Sequence, residues 1–148
     1  MKIILEFNNL GKSPLRKSRL EKIIRSTIGE SGLDFLAKKT IEISAAVLSA
    51  QEIRKINRIY RHKNQATDIL SFAEYKNAQE LKKEKNTSVF LGELILCYND
   101  IDVYAKKKGI KTEEEVANVM AHGVLHLLGM RHGKKMFSIQ KEVVKKIN

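Results

Sequence analysis

The 148-residue chain reads as an α+β fold: a small mixed sheet of about four strands with helices packed on it. Three observations predict this. Alternating apolar segments of strand character are interleaved with segments of helical period. Two of the strand-like segments are joined by a short polar connector, which suits an antiparallel pair better than a parallel crossover. One late segment is apolar almost all round, as a buried central helix is. The composition agrees, with 43% hydrophobic residues, 8 glycines and 1 proline. Such a chain is neither disordered nor of low complexity, and one domain over residues 1–148 is expected, with no linker and no repeat.

Taken in order, Ile3, Leu5 and Phe7 alternate over residues 2–7 as a first strand. Ser13-Pro14 offers an N-cap and a proline at the first helical position. Leu20, Ile23, Ile24 and Ile28 then follow at helical spacing, which predicts an amphipathic helix over residues 14–29. Ile41, Ile43, Ala45 and Val47 alternate as a second strand. Ser49 and Glu52 form a capping box before a helix marked by Ile53, Ile56 and Ile59 or Tyr60. TDILSFAEY at 67–75 has strand composition, and VFLGELILC at 89–97 is apolar enough for a central strand. KNAQELKKEKNTS at 76–88 is the polar connector between them and reads as a mobile loop or insertion. A helix over about 99–108 follows, then a second capping box at Thr112 and Glu115. Val116 to Leu128 is the apolar central helix, closed by Gly129. Met136, Phe137, Val143, Val144 and Ile147 mark a last amphipathic helix.

The charge balance narrows the partners. With 28 basic and 17 acidic residues the formal net charge is +11, which favours a polyanion such as nucleic acid or an anionic membrane surface. The single cysteine, Cys97, excludes an internal disulfide and a multi-cysteine zinc site, and is expected to be a small buried side chain. The N-terminus turns acidic at Glu6, too early for a signal peptide, and no apolar stretch is long enough for a membrane helix. A soluble, cytoplasmic, monomeric protein with no membrane partner is expected.

The chemistry is concentrated in HGVLHLLGMRH. His122 and His126 stand i, i+4 on one face of the central helix, and Gly129 lets the chain turn so that His132 returns to the same point. Three neutral imidazoles suit zinc and leave its fourth tetrahedral position open, the pattern of a catalytic site. The alternative is three packing histidines satisfied by backbone carbonyls. Burying three such rings without a strong shared partner costs several kcal/mol, so one Zn2+ per chain is the stronger reading. The spacing also matches the metzincin protease pattern, but Gly123 stands where those enzymes place their glutamate base. Peptide-bond chemistry therefore lacks its proton acceptor.

This motif, together with INRIYRHKNQATDILSF at 56–72 and FLGELILC at 90–97, resembles the YbeY family of bacterial rRNA-maturation endoribonucleases over essentially the whole chain. The resemblance implies a metal-dependent endoribonuclease directed to single-stranded RNA. It would act in 3′-end maturation of small-subunit ribosomal RNA and in ribosome quality control, with the ribosomal small subunit as partner. It also implies zinc on the three histidines and a functional arginine at Arg61. On periodicity alone Arg61 is an ordinary solvated arginine at a helix end. Two departures from the family pattern stand out. Arg131 replaces the acidic residue usual before the third histidine, so a carboxylate orienting an imidazole is missing or comes from elsewhere. The segment between His132 and Met136 is shorter than usual.

The mechanism that follows has a metal-bound water, or a metal-activated 2′-hydroxyl, attacking phosphorus while Arg61 shares the developing charge. Asp68 and Ser71 either orient Arg61 or a water, or cap local backbone. His62 reads as a surface residue. Arg58, Arg61 and Lys63 in one basic run, and Arg131 in another, are the expected phosphate contacts on either side of the site. Tyr and Phe are few and Trp is absent, which points to backbone and shape recognition more than base reading. Two rivals remain: a non-enzymatic rRNA-binding ribosome-assembly factor with a structural metal, and a metallohydrolase acting on another substrate.

Overall fold

The computed structural model describes residues 1–147. Its sheet holds β1 (Lys2–Asn9), β2 (Thr40–Val47), β3 (Ile69–Ala73) and β4 (Ser88–Leu96) in the order β1-β2-β4-β3. β1, β2 and β4 run parallel, and β3 lies antiparallel on the outer edge of β4. The expected mixed α+β sheet of four strands is what the chain forms, including the antiparallel pair. Helices α1 (Lys17–Glu30), α4 (Tyr98–Lys108), α5 (Thr112–Leu127) and α6 (Lys134–Ile147) join the main core, and α2 (Ala50–Arg61) covers a second, smaller cluster.

The alternation read in the sequence explains the burial. Ile41, Ile43, Ala45 and Val47 of β2 are all buried, with Leu5 beside them on β1. Against this face sit Leu20, Ile23, Ile24 and Ile28 of α1. The apolar centre of α5 supplies Val116, Met120, Val124, Leu125 and Leu127 to the same core. α5 also packs on α1, α4, α6, β3 and β4, so it is the element around which the others are arranged. On the opposite face Ile53 of α2 meets Leu70 and Cys97. Burial raises the Cys97 thiol above its ordinary range, consistent with an inert packing residue.

Gly123 sets how closely α5 approaches the sheet. A Cβ there would come within 2.5 Å of Ile69 Cδ1 and 2.9 Å of Leu94 Cδ2. A side chain at this position would have to displace the tips of Ile69 and Leu94, which gives a packing reason for the glycine in the histidine motif.

Several expectations need correction. α1 starts at Lys17 rather than at Pro14, because the Ser13 hydroxyl donates to Asn9 Oδ1 and its backbone N–H donates to the same atom, so Ser13 closes a turn instead of capping a helix. The Ser49–Glu52 capping box forms as expected, but Ile59 and Tyr60 are exposed and the buried partner of Ile53 on α2 is Asn57. The Thr112–Glu115 box does not form. Thr112 donates to Asp102 at 2.7 Å, and the Glu115 carboxylate accepts from Asn118 instead. Phe137 lies on the exposed side of α6, whereas Met136 and Val143 are buried.

The polar connector is also ordered. It carries a short helix, α3 (Ala78–Lys82), capped by Asn77, whose side chain accepts from Glu80 N. Leu81 is fully buried in the main core and ties the segment down. Leu81→Ala is expected to cost about 2–5 kcal/mol of unfolding free energy, read as a shifted denaturant midpoint. A midpoint unchanged by this variant contradicts the docking of α3.

Candidate metal centre

His122 and His126 project from the last two turns of α5. The helix ends at Leu127, and Gly129 reverses the chain in the left-handed region at φ 85°. A Cβ at Gly129 would lie 2.8 Å from Ala78 N and Asn77 Cα, so the turn fits only because glycine leaves that space to α3. His132 then comes back over the helix end. The Nε2 atoms of the three rings form a nearly equilateral triangle, with sides of 3.0 Å (His126–His122), 3.0 Å (His126–His132) and 3.1 Å (His132–His122).

This triangle fits a cation. Ligands about 2.0–2.1 Å from a tetrahedral ion stand roughly 3.3 Å apart, a few tenths of an ångström more than here. His122 Nδ1 faces Gln140 Oε1 at 3.1 Å, an acceptor, so its proton sits on Nδ1 and its Nε2 turns a lone pair to the centre. Nitrogen lone pairs meeting at one point repel unless a positive charge lies between them. Burial holds His126 below the usual imidazole range, and the positive forms of His122 and His132 add to the effect, as does the charge of Arg61. A hydrogen bond to the Met130 backbone opposes it. The ring is therefore neutral and ready to coordinate at neutral pH. Among the described residues, no fourth His, Cys, Asp or Glu ligand atom joins the three.

The histidines lie in an open groove of about 1160 Å³ that follows the outer edge of β3. α5 and α6 form one wall, and the C-terminus of α2 with the loop after it forms the other. His62, exposed and in the left-handed conformation, ends α2, and the buried Asn57 side chain donates to Gln65 O at 2.9 Å to hold that loop. Arg61 is exposed, yet its position is defined. Its Nη2 donates to the Ser71 carbonyl at 2.6 Å, and its guanidinium carbon stands 5.2 Å from the Phe72 ring centre. Asp68 caps local backbone, accepting from Ile69 N at 2.7 Å. Ser71 contributes its backbone carbonyl to Arg61 rather than its hydroxyl.

Of the basic residues expected to flank the site, Arg61 and Lys63 line the groove. Arg58 and Arg131 are exposed but stand outside its lining. Sequence reasoning missed four aromatic rings and three polar side chains here. Tyr60, Phe72, Tyr104 and Phe137 all line the groove. Phe137 stacks beside His132, with centroids 6.4 Å apart and planes 30° apart, and Tyr60 meets Phe72 edge-on at 5.6 Å. Glu115, Asn118 and Gln140 line the same wall. Burial raises the Glu115 carboxyl; the Asn118 hydrogen bond opposes that rise, and the charges of Asp68 and Glu114 add to it. The exposed Tyr and Phe positions carry no sequence signal, and Glu115 is disguised by its capping-box spacing.

Fold and site together define an α+β protein with a three-histidine cluster that could hold a metal ion, set in an open, partly basic groove. The chain belongs to the endoribonuclease YbeY family, whose family model matches residues 6–148. It is 35% identical to the endoribonuclease YbeY of Halalkalibacterium halodurans over 133 residues, covering 84% of each chain. It is 32% identical to that of Aquifex aeolicus over 125 residues, covering 84% of this chain and 75% of the relative. Its fold is similar to the solution structure of a Thermotoga maritima protein, with a TM-score of 0.63 over 97% of this chain and 89% of that one, at 23% identity. Among the described residues, no helix is long and apolar enough to cross a membrane.

Gly129→Ala places a side chain against the α3 backbone and is expected to displace His132. Titration with Co2+, followed by its absorption, should show affinity reduced by about tenfold or more. Gly133→Ala has open space around it and should bind as the wild type does. Equal affinities for the two variants would contradict the role assigned to the turn.

Proposed function

We propose that the protein is a zinc-dependent endoribonuclease that cuts single-stranded RNA, acting in the cytoplasm as a monomer on the 3′ end of small-subunit ribosomal RNA and in ribosome quality control. The observation that carries the chemistry is the convergence of three Nε2 atoms within 3.0–3.1 Å at the wall of a groove that Arg61 also lines. RNA as the substrate is supported by the endoribonuclease family to which the chain belongs, and ribosomal RNA by the resemblance carried by the histidine motif and residues 56–72.

His122, His126 and His132 would hold one Zn2+. When bound, the ion supplies Lewis acidity toward a phosphodiester oxygen and makes water a competent nucleophile near neutral pH. Arg61 binds the scissile phosphate. One of its N–H groups is committed to Ser71 and its guanidinium carbon stands over the Phe72 ring, so the remaining N–H groups form a pre-set fork for the charge that grows on phosphorus oxygens. Lys63 adds a phosphate contact along the groove, and Arg58 and Arg131 steer the backbone from outside it. The aromatic lining amends the expectation of backbone and shape recognition more than base reading. Four of the nine Tyr and Phe residues line this one groove, where unpaired bases can stack. A duplex keeps its bases stacked inside and cannot use them, which supports a single-strand substrate.

Both rivals are weaker. A structural zinc normally has four protein ligands, whereas three cluster here. For the second rival, a metallohydrolase acting on another substrate, peptide bonds are the poorest candidate, because Gly123 stands where a metzincin places its glutamate base.

Arg61→Ala is expected to lower kcat/KM for a single-stranded RNA oligonucleotide by about 10²–10³, the cost of one transition-state donor. Its unfolding free energy should stay within about 0.5 kcal/mol of wild type, because the side chain is exposed. Chelation should abolish cleavage and Zn2+ restore it. A metal-loaded protein that binds this RNA without cutting it, or an Arg61→Ala variant that cuts normally, would overturn the reading.

A further inference from the structure

A chain of three side chains leads to the Nδ1 side of His122. Glu115 Oε1 accepts from Asn118 Nδ2 at 2.9 Å. Asn118 Oδ1 accepts from Gln140 Nε2 at 2.9 Å, and the same amide group approaches the Asn118 backbone carbonyl at 3.4 Å. Gln140 Oε1 faces His122 Nδ1 at 3.1 Å. Glu115 and Gln140 are each only 5% exposed, and Asn118 between them is half-buried.

The direction of the chain follows from its starting point. The Glu115 oxygen accepts here, and when ionised it can only accept, so Asn118 turns its NH2 toward Glu115 and its oxygen toward Gln140. Gln140 must then give its NH2 to Asn118 and its oxygen to His122. An amide oxygen only accepts, so His122 carries its proton on Nδ1 and leaves Nε2 bare. With both amides reversed, the Gln140 NH2 would face His122 and force the proton onto Nε2, where it would block coordination.

We infer that Glu115 is a positioning residue for the metal centre, acting through Asn118 and Gln140 to fix His122 in its metal-binding tautomer. This rests on the reading of the three histidines as metal ligands. It also answers the substitution at Arg131: the carboxylate absent beside the third histidine is supplied to the first one, from seven residues earlier on α5 and by way of α6. A metal-bound histidine is commonly oriented by a direct carboxylate or carbonyl partner. Here two amides carry the polarity between them.

The test uses the full chain without RNA. In Glu115→Gln the first group is of the same size but can donate as well as accept, so both polarities become open. The nitrogen-15 spectrum of His122 in the metal-free protein at mildly alkaline pH should change from a single Nδ1-protonated tautomer to a mixture. Zn2+ affinity, measured by competition with a chelator, should fall about tenfold. Adding Asn118→Asp to this variant puts a carboxylate one link nearer, with the charge and volume of the pair preserved, and should restore both readouts. If Glu115→Gln fails to fold, Gln140→Leu removes the last link and should give the same mixture and the same loss.

Wild-type tautomer and affinity in the single variants would overturn the inference. So would a double variant as weak as Glu115→Gln alone. A wild type that binds Zn2+ but cuts no RNA would end the nuclease reading while this test still decides the role of Glu115. A wild type that cuts RNA, with a His122 tautomer indifferent to Glu115→Gln, would end this inference alone.

Discussion

The helix that carries His122 and His126 is also the helix on which the core is built, and this double duty governs the molecule. α5 is packed by α1, α4 and α6, lies against β3 and β4, and at Gly123 approaches the sheet so closely that a side chain would have to displace the tips of Ile69 and Leu94. The two imidazoles are therefore mounted on the most constrained element of the fold. Positioning of this kind is what a catalytic centre requires, since small displacements of reacting groups are costly. The third imidazole comes from the turn that ends the same helix, so the whole triangle is held by one short stretch of chain.

The opposite wall of the groove is built differently. Arg61 sits at the exposed end of α2, beyond the buried Ile53 and Asn57 that anchor the helix. What holds its guanidinium is the edge of β3, through the Ser71 carbonyl and the Phe72 ring. An edge strand commonly presents unpaired backbone groups that must be occupied or protected. In this chain one of them orients a charged side chain across the groove from the histidines, and the same contact covers part of the edge.

The contrast between what the sequence reveals and what it hides follows from distance along the chain. The histidine triangle was legible because all its parts lie within eleven residues and depend only on helical spacing and one glycine. β1 and β2 were legible from alternation, and the antiparallel β3–β4 pair from strand composition and the short connector between the two segments. Leu81 was hidden as a single large apolar residue in a lysine-rich connector, although its burial ties the segment to the core. Glu115 matched a capping box, and only the competing partners, Asp102 for Thr112 and Asn118 for Glu115, removed that reading. Gln140 lies 18 residues from His122 on another helix, so no local pattern could link them. The contact of Arg61 with Ser71 likewise depends on how α2 packs against β3.

The most direct measurement is X-ray absorption at the zinc edge of the reconstituted chain, with the metal content determined on the same sample. The account predicts one zinc per chain, bound by three imidazole nitrogens and by an oxygen that exchanges with solvent. A chain that takes up no zinc, or a zinc closed by a fourth protein ligand, would contradict it.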